Sequence, residues 1–236
     1  MDSFENTLRK VLLSLLSPDN NTRNEGERYV KASEGQPGFT LAILNLVKSL
    51  SASQDAEDVA VRQSAAVLFK NTIKKRWQVD EDEKENTIPD GDRETLKMHL
   101  IDLMCVTPPD VQKQLAEAVT IISKYDFPAK WDGLLGQLVN KIQSKELHII
   151  KGVMLTANSI MKRFRYVFKT DILYEELSYC LKHFQSPLLM TYQFFGELVA
   201  SHPTDKLILI SLFETLRLMS RIFFSLNWQD IPEFFE

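Results

Sequence analysis

Phe4, Leu8, Val11, Leu12 and Leu15 recur at intervals of three and four residues, the period of one face of an α-helix. The stripe stops before Ser17-Pro18-Asp19-Asn20-Asn21, where Pro18 suits the first turn of a second helix running to about residue 33. The same layout returns at about 38–51 and 57–77, 91–106 and 109–125, and 128–143 and 145–167. Segments at about 171–184 and 186–201 make a fifth pair, and a long helix at about 204–225 opens a sixth. The connections are short and marked by Pro37-Gly38, Pro108-Pro109, Pro128, Pro187 and Pro203, as suits helical hairpins stacked side by side. The expected fold is all-α: a HEAT-repeat (armadillo-type) α-solenoid of antiparallel helix pairs.

Second helices start about 40 residues apart, the HEAT period. In the first two units Gly26 to Lys31 lies over Ala65 to Lys70, which places Arg23 on Arg62 and Lys31 on Lys70. Between the second and third pairs, Gln78 to Gly91 adds an acidic insert, read as a solvated loop because its charge density cannot support a core. At the other end, Ser225 to Glu236 reads as the opening of a further helix with exposed apolar residues and no polar capping repeat, as in a piece of a longer solenoid.

Composition narrows the function classes. With 44% hydrophobic and 25% charged residues, the chain can bury a core under an ordinary polar surface. A net charge of -4 disfavours a phosphate backbone as partner. Cys105 and Cys180 have neither metal-clip spacing nor the density of a disulfide scaffold, so a reducing compartment is expected. The start of the chain makes a poor signal peptide, and even Leu207 to Phe213 is flanked by Asp205, Lys206 and Glu214, too short a run to span a bilayer.

Candidate chemistry is sparse. His99, His148, His183 and His202 lie far apart without metal-ligand spacing, and no G-x-S-x-G elbow occurs. Gly133-Leu-Leu-Gly136 falls within a proposed helix and reads as a packing feature rather than a phosphate loop. Asn20-Asn21-Thr22 matches a glycosylation sequon but reads as a helix entry, and Asp126-Phe127-Pro128 with Trp131 reads as a capped helix start with an aromatic anchor. Neither catalytic residues nor a cofactor or metal site is expected.

Two basic clusters remain. Lys70, Asn71, Lys74, Lys75 and Arg76 end a helix whose other side carries Ala66, Phe69, Ile73 and Trp77. These cations suit a helix C-terminus, but Lys70 and Lys74 also share a stripe with Gln63 and Val67 that could face a partner. From Lys162 to Lys169, Arg163 and Arg165 alternate with Phe164, Tyr166 and Phe168. RNA could stack on such a run, but its aromatics suit a hairpin core.

Val61 to Trp77, an apolar helix ending in Lys70-Asn71 and a basic-Trp close, resembles the importin-β N-terminal domain pattern. Leu115 to Leu135, with Asp126-Phe127-Pro128 and Trp131 in place, resembles the next block of that superfamily. Gly152 to Leu177 and Arg221 to Glu236 resemble its exportin branch. The resemblance divides the chain into a first helix and the start of the second (1–24), an importin-β N-terminal domain (25–100) and further HEAT repeats truncated in the sixth (101–236). It implies binding of the GTP-loaded small GTPase Ran through second helices, at Lys70, Asn71, Lys74 and Gln63, with Glu27 and Lys31 as a weaker extension by repeat register. It also implies importin-α and nuclear pore proteins as partners of an intact receptor shuttling between nucleus and cytoplasm, with GTP and magnesium carried by Ran. A HEAT scaffold without Ran is the competing reading.

Overall fold

A computed structural model describes residues 4–78 and 87–229, which are helix and connecting turn with no strand among them. Ten α-helices follow in order among these residues: α1 Phe4–Leu15, α2 Asn20–Ser33, α3 Phe39–Ser49, α4 Ala56–Arg76, α5 Asp90–Val106, α6 Pro109–Asp126, α7 Leu134–Ile142, α8 Leu147–Met161, α9 Asp171–Ser201 and α10 Lys206–Leu226. They make five consecutive pairs, and the chain divides into two compact units, the first ending at Tyr125 and the second beginning at Asp126.

In the first unit, each hairpin is closed by the residues that start its second helix. Asp19 caps α2 by accepting from the Thr22 amide at 2.8 Å, so Pro18 precedes the cap instead of occupying the first turn. Asp55 caps α4 through the amides of Glu57 and Asp58. In each of these second helices an arginine folds back on the connection, one turn in from the cap in α2 and two turns in from it in α4: Arg23 donates to the carbonyls of Ser17 and Pro18. Arg62, buried, donates to those of Leu50, Ser51 and Ser53. The equivalence of Arg23 and Arg62 is therefore structural, because both donate to carbonyls of the connection that follows a first helix. At the next equivalent position, Gly26 lets α2 close on α1, since a Cβ there would collide with Ser14 Oγ. Ala65 holds the matching place in α4, fully buried.

Ile88, just beyond the acidic stretch, departs from the solvated loop expected there: it is buried, and Arg93 donates to its carbonyl and to that of Trp77 while lying 4.9 Å over the Trp77 ring. Apolar burial plus this arginine clamp ties down the end of the insert. Residues 79–86 lie outside the described region.

The second unit revises several expectations. Asp126-Phe127-Pro128 closes α6 rather than opening the next helix. Residues 127–133 form a run of turns, with amides of Lys130 and Trp131 donating to Asp126 and Pro128, and α7 begins only at Leu134. Phe127 and Trp131 are nevertheless buried as the anchors they were expected to be. Gly133 precedes α7, and a Cβ at Gly136 would meet nothing within 4 Å, so this pair of glycines is not a close-packing device.

The segments at 171–184 and 186–201 are one helix, α9, running through Pro187. Leu173, Leu177, Cys180, Phe184, Leu188, Thr191 and Phe195 are buried in unbroken three- and four-residue steps across that proline. A break there would throw half the stripe out of phase, so burial outweighs the missing amide. Consequently α10 completes the fifth pair instead of opening a sixth.

Candidate partner-binding surface

Helix α4 is covered on more than one side, and this sorts its cations. Ala66, Phe69, Ile73 and Trp77 are buried. Arg76, also buried, donates to Glu34 at the end of α2 at 2.9 Å, and Lys75 pairs with the same carboxylate at 2.6 Å. Burial alone would raise the Glu34 carboxyl, but hydrogen bonds from Lys75 and Arg76 outweigh it and hold the group below its ordinary value. These two cations are structural.

The other side of α4 presents Gln63, Val67, Asn71 and Lys74 to solvent, with Lys70 part-covered. Along it runs α6: Gln63 donates to Asp110, and Lys70 Nζ lies 4.0 Å from Glu117 Oε2. Both contacts advance seven residues on each helix, two turns, so α4 and α6 lie parallel and in register. Lys70 is 19% exposed and leans on a carboxylate, whereas Lys74 and Asn71 face water. The sequence stripe is thus split by a neighbouring helix whose acidic residues no spacing rule within α4 could reveal. Second helices of the other unit are bridged the same way, by Lys151 of α8 and Glu214 of α10 at 2.6 Å.

Glu27 and Lys31 are exposed on α2, and no described contact joins them to the α4 stripe. Register pairs Lys31 with Lys70, but it pairs Glu27 with Ala66, which is buried. The two helices have different surroundings, so the extension from α4 to α2 is partial.

The second basic cluster also divides. Phe164 is fully buried, but Tyr166 is 81% and Phe168 90% exposed, so the alternation is not all hairpin core. Residues Lys162–Arg165 form a short 3-10 turn that buries Phe164, and Tyr166 and Phe168 lie beyond it. Arg163 pairs with Glu176 at 2.7 Å, and Arg165 donates to Ser225 Oγ and the Arg221 carbonyl, so both guanidiniums serve the fold.

The histidines stay in separate surroundings: Nδ1 of His183 lies 2.8 Å from the Tyr179 carbonyl, and that of His202 2.9 Å from the Leu198 carbonyl. Among the described residues no three His, Cys, Asp or Glu side chains are grouped to hold a metal, and no helix is long and apolar enough to cross a membrane.

Consecutive antiparallel helix pairs with charged second-helix surfaces define a HEAT-type scaffold. Comparison with known proteins is specific. Residues 26–106 match the importin-beta N-terminal domain and residues 160–236 match the Cse1 family. The whole chain is 40% identical over 235 residues to exportin-2 of Pagrus major and 39% identical to that of Homo sapiens. A solved structure described as the exportin Cse1 in its cargo-free, cytoplasmic state superposes with a TM-score of 0.84 at 32% identity, covering 98% of this chain and 24% of that one. The chain belongs to the importin-β superfamily, with the exportin-2 proteins. It spans about a quarter of the length of those curated relatives, 24% for the Pagrus major protein.

Proposed function

We propose that this chain is part of a nuclear export receptor that binds Ran in its GTP form and, within the intact receptor, carries importin-α from nucleus to cytoplasm. The observation that supports the reading most directly is the coincidence of the importin-beta N-terminal match at residues 26–106 with a water-facing stripe on α4 that packing does not require. Asn71 and Lys74 are the primary contacts on this reading. Lys70 and Gln63 contribute after exchanging Glu117 and Asp110 for a partner group, and Glu27 and Lys31 extend the surface onto α2.

Selectivity for the GTP form needs no nucleotide contact. The switch segments of a GTPase are ordered by the γ-phosphate and magnesium, so a surface complementary to the ordered form distinguishes the two states. If Ran and importin-α favour the same receptor conformation, each raises the other's affinity by the same factor, and GTP hydrolysis then releases cargo. Nuclear pore proteins are further partners of the whole receptor on this reading.

The test is the affinity of full-length receptor for Ran-GTP and Ran-GDP, with and without importin-α. Lys74→Ala should weaken Ran-GTP binding by about 1 to 3 kcal/mol if the contact is desolvated, with unchanged melting and a shallower salt dependence. Equal binding of both nucleotide forms would instead support a HEAT scaffold without Ran. Unchanged Ran-GTP affinity in the Lys74→Ala variant would move the contact away from the α4 stripe.

A further inference from the structure

The connection between α8 and α9 exposes several large apolar side chains. Tyr166 is 81%, Phe168 90% and Ile172 70% exposed, with Val167 half-exposed between them. The C-terminal end of α10 adjoins this segment. Gln229 Nε2 donates to the carbonyls of Phe164 and Val167, and Arg165 lies 5.0 Å over the Phe224 ring, which contacts Trp228 at 4.9 Å. Phe224 and Trp228 are themselves about half exposed. The backbone here is pinned, while the aromatic faces are left to solvent.

Basic side chains are concentrated on the stretch that leads into this patch. Residues 147–170 contain Lys151, Lys162, Arg163, Arg165 and Lys169 and no carboxylate, in a chain whose net charge is -4. Glu176 is occupied by Arg163, leaving Asp171 and Glu175 of α9, both exposed, with Glu146 and Asp230 as the further acidic neighbours in sequence. Lys162 and Lys169 are exposed, with no ion pair among the described residues. Exposed aromatics beside unpaired lysines suit a ligand that brings both apolar side chains and carboxylates.

We propose that the α8–α9 connection, with the end of α10, is a docking surface for an acidic linear peptide: an extended segment whose carboxylates meet Lys162 and Lys169 and whose aromatic or leucine side chains pack on Tyr166, Phe168 and Trp228. A nucleic acid fits less well. The two arginines that would stack or bind phosphate are committed to Glu176, Ser225 and the Arg221 carbonyl, leaving two lysines against a backbone charged at every step. This surface is separate from the α4 stripe, and the proposal stands independently of Ran binding.

Phage-displayed random dodecapeptides selected on the immobilised chain provide the test. Enriched peptides should carry two or more carboxylates flanking an aromatic residue or leucine. One of them, synthesised with a fluorophore, should lose at least tenfold in affinity on Tyr166→Ser plus Phe168→Ser and on Lys162→Ser plus Lys169→Ser. Both variants change exposed side chains, and an unaltered circular dichroism melt verifies their folding. Enriched peptides that are basic or neutral, or that bind the variants as tightly as the parent chain, would overturn the proposal. Tighter binding of a dodecamer of uridylate would assign the patch to RNA. A change in the sedimentation of the chain alone on replacing Tyr166 and Phe168 would assign it to a second copy.

Discussion

Glu34 shows what a single carboxylate can do when two cations converge on it. Its value is held below the usual range by Lys75 and Arg76 against the cost of burial. A depressed folded value means that its stabilisation is fully present above the unfolded value of about 4.3 and is lost as pH falls through the folded one. Glu34→Gln should therefore lower the urea midpoint at pH 7, and the difference from the parent chain should shrink as pH falls below 4. A difference that stays constant into acid would mean that Lys75 and Arg76 do not hold the carboxylate. Burial acts in the opposite sense on Cys180, pushing its thiol up to about 12. With Cys105 also buried, neither thiol should react with Ellman's reagent at pH 8 until the chain unfolds. Prompt release of one equivalent of thionitrobenzoate from folded protein would contradict the packing. Tyr179 of α9 meets the turn after α6, its ring tilted against Phe127 at 6.0 Å and its hydroxyl donating to the Asp132 carbonyl. Phe127→Ala and Trp131→Ala should each cost about 3 to 5 kcal/mol in a denaturant titration.

At the scale of elements, α9 offers the sharpest test. A proline inside a helix costs about 3 kcal/mol relative to alanine, so Pro187→Ala should raise the urea midpoint if α9 is continuous. Loss of stability would indicate that Pro187 begins a separate helix, where its fixed φ is an advantage. Among the second helices, Arg62 and Arg23 do the same work at different depths. Arg62→Ala would remove the arginine from three hairpin carbonyls in a buried site, of which that of Leu50 keeps the Ser53 amide, and Arg23→Ala would remove it from two in a more exposed one. The first should cost more, about 2 to 4 kcal/mol, because unsatisfied groups are penalised only where water is kept out. Comparable losses in thermal melts of the two variants would deny that depth sets the cost.

At the scale of the molecule, the helical period, the order of the first four hairpins and the second-helix register of the first two repeats were readable along the chain. They depend on local rules: apolar residues at helical spacing, turn residues between the stripes, and a repeat offset that places Arg23 on Arg62 and Lys31 on Lys70. The basic-Trp end of α4 and the Asp-Phe-Pro block likewise pointed to the superfamily from adjacent residues alone. What the chain could not reveal were relationships between residues far apart in sequence. Glu34 claims two of the α4 cations and Glu117 a third, which leaves Lys74 and Asn71 as the water-facing part of a stripe that looked uniform. Phe164 is buried while Tyr166 and Phe168 are exposed, because a 3-10 turn and the end of α10 decide which side of the connection has a neighbour. Phe234 and Phe235, expected to lie on an uncovered apolar face, are outside the described residues. Spacing along the chain determines which side chains share a face; only tertiary packing decides whether that face meets a core, an opposing charge or water, since each outcome depends on a helix encoded tens of residues away.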